Sequence, residues 1–161
     1  MSKAMLLDLN TWIDYYMGYR ARHEDARKLV IECIRRGIGL YIPASCLGDL
    51  FYLCQHDFKA GFLNAKGAVG QDEALAAREA AWAIIANVIE VATVVGADVS
   101  DAEIALKYKV LHADYEDDTV LAAVLRSGAD CLVTSDEQLR RHSPIQALSP
   151  AEALEFFGLG G

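Results

Sequence analysis

The sequence predicts an α/β domain whose central sheet is largely parallel and covered by helices on both faces. Two observations carry this reading: helix-period stretches alternate with short apolar runs along the chain, and no repeat, low-complexity tract or Pro/Ser-rich linker interrupts them. A third is size. At 161 residues and 53% hydrophobic content there is enough apolar sequence for one sizeable core, so residues 1–161 are read as a single domain.

Met5 to Leu7 is a short buried strand leading into Asp8, and Asn10 or Thr11 is placed to cap a helix carrying Trp12, Ile13, Tyr15 and Tyr16. From Glu24 to Arg36, Ala26, Leu29, Val30, Cys33 and Ile34 recur at three- and four-residue steps, and Gly37 is a natural stop. Ile38 to Ile42 reads as a second strand, and Pro43 opens a new element. In the helix expected from Ala44 to Phe58, Leu47, Leu50, Phe51, Cys54 and Phe58 share one stripe, while Ser45, Asp49, Tyr52 and His56 share the opposite one. Gly61 to Gly70 reads as a loop or frayed helix end. Gln71 to Ala86 is a strong helix former with Leu75, Ala81, Trp82 and Ile85 available for packing, and Val88 to Val95 reads as a strand. Ser100 or Asp101 caps a helix to about Leu111. A further helix from about Tyr115 to Ser127 precedes a strand from Cys131 to Thr134, with Asp136 just beyond it.

The composition narrows the function classes. The only apolar run at the N-terminus, Ala4 to Leu7, is too short for a signal-peptide core or a membrane span. Cys33, Cys46, Cys54 and Cys131 lie inside apolar patterns without the paired spacing of a zinc site, which predicts reduced core residues in a cytoplasmic protein. The histidines, His23, His56, His112 and His142, show no HExxH-type spacing. A formal net charge of −8 disfavours general electrostatic attraction to phosphate backbones, so any nucleic-acid partner must be bound at a local site.

The acidic residues suggest such a site. In an open parallel sheet, ligands bind outside the carboxyl ends of the strands, and Asp8 and Asp136 both follow strands there. Asp117 shares a helical face with Val120, Leu121 and Val124 and so leans toward the sheet. Carboxylates brought together in this way repel one another, and a divalent cation relieves the repulsion. A plainer reading also holds locally: Asp114 and Asp117 resemble a capping pair, and acids in a first helical turn suit the helix dipole. Asp49, away from the strongest apolar stripe, reads alone as a solvated acid.

Taken in order, LLDLNTWID (Leu6 to Asp14), IPASCLGDL (Ile42 to Leu50), DYEDDTVLAAVLRSGADCLVTSD (Asp114 to Asp136) and ALSPAEAL (Ala147 to Leu154) resemble the PIN-domain family of metal-dependent ribonucleases, which includes VapC-type toxins. The resemblance implies a three-layer, Rossmann-like fold with four acids at the carboxyl edge of the sheet, here Asp8, Asp49, Asp117 and Asp136, binding Mg2+ or Mn2+ and hydrolysing RNA. It further implies a small antitoxin protein and a homodimer as partners. Asn10 matches the polar residue two places after the first acid, and Thr134 the hydroxyl before the fourth. Two positions depart: Asp49 stands where the family usually has Glu, and Leu9 where Thr or Ser is common. RNA contacts are expected among Arg20, Arg22, Lys59, Lys66 and Arg140. The competing readings are a catalytically weak binding module acting through a protein partner and a Mg2+-dependent phosphoryl-transfer domain, since acids at strand ends serve receiver and phosphatase folds too.

Overall fold

The computed structural model describes residues 3–160. Strand β1 (Ala4–Leu7) is buried along its length and passes through Asp8 into helix α1 (Leu9–Tyr16). Helix α2 (His23–Arg36) leads to β2 (Gly39–Pro43), followed by two long helices, α3 (Ala44–Lys66) and α4 (Gln71–Val91), packed against each other. Then come β3 (Thr93–Val95), α5 (Val99–Tyr108), α6 (Tyr115–Ser127) and β4 (Cys131–Val133). Helix α7 (Glu137–His142), β5 (Ala147–Leu148) and α8 (Pro150–Phe156) complete the described elements.

All strand pairings are parallel, and the sheet order is β3-β2-β1-β4-β5. Met5 pairs with Leu40 on one side and Cys131 on the other. The chain therefore builds outward from β1 to β3, then returns to the opposite side of β1 with β4. That reversal opens a crevice at the carboxyl ends of β1 and β4. Asp8 and the segment reaching Asp136 emerge on its two sides.

One buried cluster spans the fold from Met5 to Leu159, with Trp12, Leu29, Leu50 and Leu121 fully enclosed. The four cysteines are free thiols buried in this fold, as their apolar settings predict. Gly37 ends α2 in the left-handed region at φ 66°, where a side chain would be strained. At the other end of the chain, Ser149 and Glu152 form a reciprocal capping box with Pro150 in the first turn.

Several boundaries differ from the sequence reading, each for a local reason. Asp8, rather than Asn10 or Thr11, caps α1, because its carboxylate accepts the Leu9 amide. Asp98, rather than Ser100 or Asp101, caps α5, with Asp101 returning a bond to the Asp98 amide; the helix ends at Tyr108, short of Leu111. Helix α3 runs through Gly61 to Lys66 and stops at Gly67, whose φ is 77°. Packing against α4 outweighs the cost of a glycine within the helix, about 1 kcal/mol. The segment from Val88 to Val91 belongs to α4, so the predicted strand shrinks to β3. Ala77, Ala81, Ile84 and Val88 continue one buried helical stripe, and a short apolar run alone does not distinguish that from a strand. This stripe of mostly small residues forms the buried face of α4, leaving Trp82 and Leu75 exposed.

Candidate functional site

Asp8 is held at the end of β1 by a closed set of donors. Its Oδ1 accepts the Leu9 amide at 2.7 Å, and its Oδ2 accepts the Thr134 hydroxyl at 2.8 Å and the Asn10 amide group at 3.3 Å. Thr134, fully buried, also accepts the Asp136 amide at 3.2 Å and Asn10 Nδ2 at 3.1 Å. Asn10 Oδ1 in turn accepts the Ser135 amide at 3.1 Å. One hydroxyl and one carboxamide thereby fasten the end of β1 to the end of β4. Burial pushes the Asp8 carboxyl above its ordinary value; the bonds from Thr134 and Leu9 oppose that rise, and the charge of Asp136 adds to it.

A cavity of about 560 Å3 opens beside this network. It brings together Asp8 after β1, Asp49 on the second turn of α3, Asp117 in the first turn of α6, and Asp136 after β4. Asp136 is also the N-cap of α7, its Oδ1 accepting the amides of Gln138 and Leu139. Asp117 is half-buried. Its carboxyl is pushed up to about 6, first by burial and then by Asp114, Asp8 and Asp136, with His112 pulling the other way. Asp49 is exposed on its helix but faces the same cavity, in agreement with its position off the main apolar stripe.

The surroundings contain features that residue spacing alone missed. His112 places Nε2 3.5 Å from Asp117 Oδ2, while its Nδ1 accepts the Asp114 amide at 3.3 Å. The accepting Nδ1 assigns the ring proton of the neutral imidazole to Nε2, on the side of Asp117. Cys46 lines the cavity, its thiol pushed up to about 12 by burial and then by Asp8. Asp14 is buried and ion-paired with Arg20. Asp118 is buried more completely than Asp117, with Oδ1 lacking a hydrogen-bond partner among the described residues. Its burial was not visible in the helical stripe, because α6 packs against both the sheet and α5.

The donor chemistry fits a hard divalent cation. Among the described residues, Asp8, Asp49, Asp117 and Asp136 have no Lys or Arg ion-pair partner. By contrast, Asp98 and Asp101, which also line the cavity, are both paired with Arg126. Also among the described residues, no three His, Cys, Asp or Glu side chains close into a cage around one point. Mg2+ needs no such cage: it takes one or two carboxylates and keeps several waters. The residues present match that looser arrangement, with all-oxygen donors and room for water.

Comparison with known proteins places this geometry in context. No curated protein matches the chain by sequence. Among solved structures, the sarcin-ricin loop cleaving toxin VapC20 of Mycobacterium tuberculosis superposes with a TM-score of 0.61 at 18% identity, over 86% of this chain and 95% of that one. A chain of FitAcB from Neisseria gonorrhoeae gives 0.62 at 13% identity, over 91% and 97%. A chain of DNA-bound VapBC from Salmonella typhimurium gives 0.59 at 20% identity, over 93% and 99%. At these identities the likeness is one of fold. The family model described as PIN domain matches residues 4–138, a span that contains all four cavity acids, and the chain belongs to the PIN domain family.

Proposed function

We propose that this PIN domain is a Mg2+- or Mn2+-dependent endoribonuclease and the toxin member of a toxin-antitoxin pair. The observation that carries the reading is the meeting of Asp8, Asp49, Asp117 and Asp136, drawn from distant stretches of chain, in one cavity where, among the described residues, no Lys or Arg is ion-paired with any of them and Arg20 in the lining is engaged by Asp14. Asp8 and Asp117 would hold a cation directly, with Asp136 and Asp49 acting through water or at a second ion. Held by these carboxylates, such a cation would supply a water of lowered pKa and a positive charge for the leaving oxygen of a phosphodiester. The protein's own contribution is positioning. Thr134 and Asn10 fix the Asp8 carboxylate, His112 faces Asp117, and Ile13, Leu53 and Val120 wall part of the cavity with apolar surface.

The similar structures named VapBC and FitAcB support an antitoxin partner, and a homodimer belongs to the same proposal. Four buried thiols suit a reducing cytoplasm, and no helix among the described residues is long and apolar enough to cross a membrane. The shorter arm of Asp49 and the absence of a hydroxyl at Leu9 favour, as a second reading, a catalytically weak module acting through a protein partner.

The test is cleavage of a mixed cellular RNA pool by the purified chain with Mn2+ or Mg2+, beside an EDTA control and Asp8→Asn. Asparagine keeps an oxygen for capping α1 and removes a charge that burial disfavours, so the variant should fold. Cleavage is expected to fall at least about a hundredfold, the upper end of what even indirect metal-site changes cost. Undiminished cutting would remove Asp8 from the site; metal-induced stabilisation without cutting of any RNA would favour the weak module.

A further inference from the structure

A second cavity, of about 650 Å3, adjoins the first. The two share Asn10, Arg20 and Asp136 in their linings, so the second cavity borders the acidic one at these side chains. There the character of the surface changes. Arg20 engages buried Asp14 through Nε, at a carboxylate that Ser135 Oγ also contacts at 3.3 Å. Arg22, exposed, donates to the Ser135 carbonyl at 3.0 Å. That bond to a neutral acceptor fixes the guanidinium one residue from Asp136 without cancelling its charge. Asp14 is matched by Arg20, whereas among the described residues Arg22 has no carboxylate partner.

Tyr19 completes the lining. It is 72% exposed, and its hydroxyl donates to Asp57 Oδ2 on α3 at 2.6 Å. An aromatic ring held at one end and open on its surface is a platform for a nucleobase, and a guanidinium beside it matches a backbone phosphate. In a chain of net charge −8, this pairing next to the acidic cavity is a local answer to the repulsion that disfavours general nucleic-acid binding.

We propose that Tyr19 and Arg22, with Arg20 beside them in the lining, form a subsite for the nucleotide flanking the scissile bond of a single-stranded nucleic acid, Arg22 taking its phosphate and Tyr19 stacking on its base. The subsite rests on the nuclease reading only for its place beside the scissile bond. Its binding is testable without cleavage.

Fluorescence anisotropy of labelled single-stranded RNA and DNA oligonucleotides, in EDTA and across a salt series, would compare the full chain with Arg22→Ala, Arg22→Lys, Tyr19→Phe and Tyr19→Leu. Arg22→Ala should weaken binding about tenfold, the scale of a charged hydrogen bond. It should also flatten the dependence of log affinity on log salt by about 0.7, the value of one single-strand phosphate contact. Arg22→Lys should restore most of the salt slope. Tyr19→Phe should retain the stacking that Tyr19→Leu loses, again about tenfold. Walking a neutral methylphosphonate linkage along the oligonucleotide should locate one position at which the full chain and Arg22→Ala bind alike. Equal affinity and equal salt slope for these two proteins on every oligonucleotide, or no binding by the unaltered chain, would overturn the subsite. Arg22-dependent binding without metal-dependent cleavage would sustain the subsite and count against the nuclease reading; cleavage with Arg22-independent binding would do the reverse.

Discussion

At Thr134 a single buried hydroxyl donates to Asp8 and accepts from Asn10 and from the Asp136 amide, so the geometry of the acid pair at the sheet edge passes through one oxygen. Valine would fill nearly the same volume and leave those partners without it. Thr134→Val is expected to lower unfolding stability by about 1–3 kcal/mol, the cost of unsatisfied buried polar groups. Urea denaturation measures this, and an unchanged midpoint would show that the network relaxes around the loss. The same substitution should weaken metal-dependent stabilisation, because Asp8 Oδ2 would keep only the longer bond from Asn10. His112 and Asp118 illustrate the converse: neither stood out by spacing, yet one faces Asp117 and the other is buried beside it in sequence.

At the scale of an element, the placement of Asp49 is a property of α3. The helix packs its Leu50 and Cys54 face into the core, which sets the backbone of Asp49 at the cavity rim and leaves only side-chain length to determine its reach. Asp49→Glu adds one methylene without altering helix or core. The metal concentration giving half-maximal cleavage should fall by about tenfold, the size of effect that groups oriented around a bound ion exert on affinity. A titration of cleavage rate against Mn2+ reads this directly, and an unchanged half-maximal concentration would put Asp49 outside the site. Helix α4 carries a different lesson. Its continuation through Val91 was hidden because an apolar run of that length suits either a strand or a buried helical stripe, and only the position of α3 beside it decides.

For the whole molecule, crowding of acids makes stability depend on pH and metal together. The Asp117 carboxyl stands at about 6 in the folded chain against an ordinary 3.8, and Asp8 is raised as well. The folded state therefore binds more protons than the unfolded state between those values, and this contribution to stability is lost as pH rises through about 6. Glu32, Glu73, Asp98 and Glu152 are shifted downward and act in the opposite sense, but only below the ordinary carboxylate range. In EDTA, Tm should fall as the solution is taken from about pH 5 to about pH 7, and added Mg2+ or Mn2+ should raise it more at the upper value. Thermal melts across that range test the point; a metal effect no larger at pH 7 than at pH 5 would argue against a cation at these acids.

The local features are legible in the sequence alone: the three- and four-residue stripe of α2, its stop at Gly37, the capping pair Asp114 and Asp117, and the position of Asp8 and Asp136 just beyond apolar strands. These are legible because period, capping and left-handed φ are properties of a few neighbouring residues. Through its ordered motifs it also pointed to the family and to the four acids. That β4 lies beside β1, bringing Asp136 and Thr134 to Asp8, emerges with the folded chain and not before. The same holds for the extension of α4 through Val88 to Val91, the turn of His112 toward Asp117, and the place of Arg20 and Arg22 in a cavity bordering the acids. Each of these depends on which surfaces compete for burial across long stretches of chain, and no local pattern records the outcome of that competition.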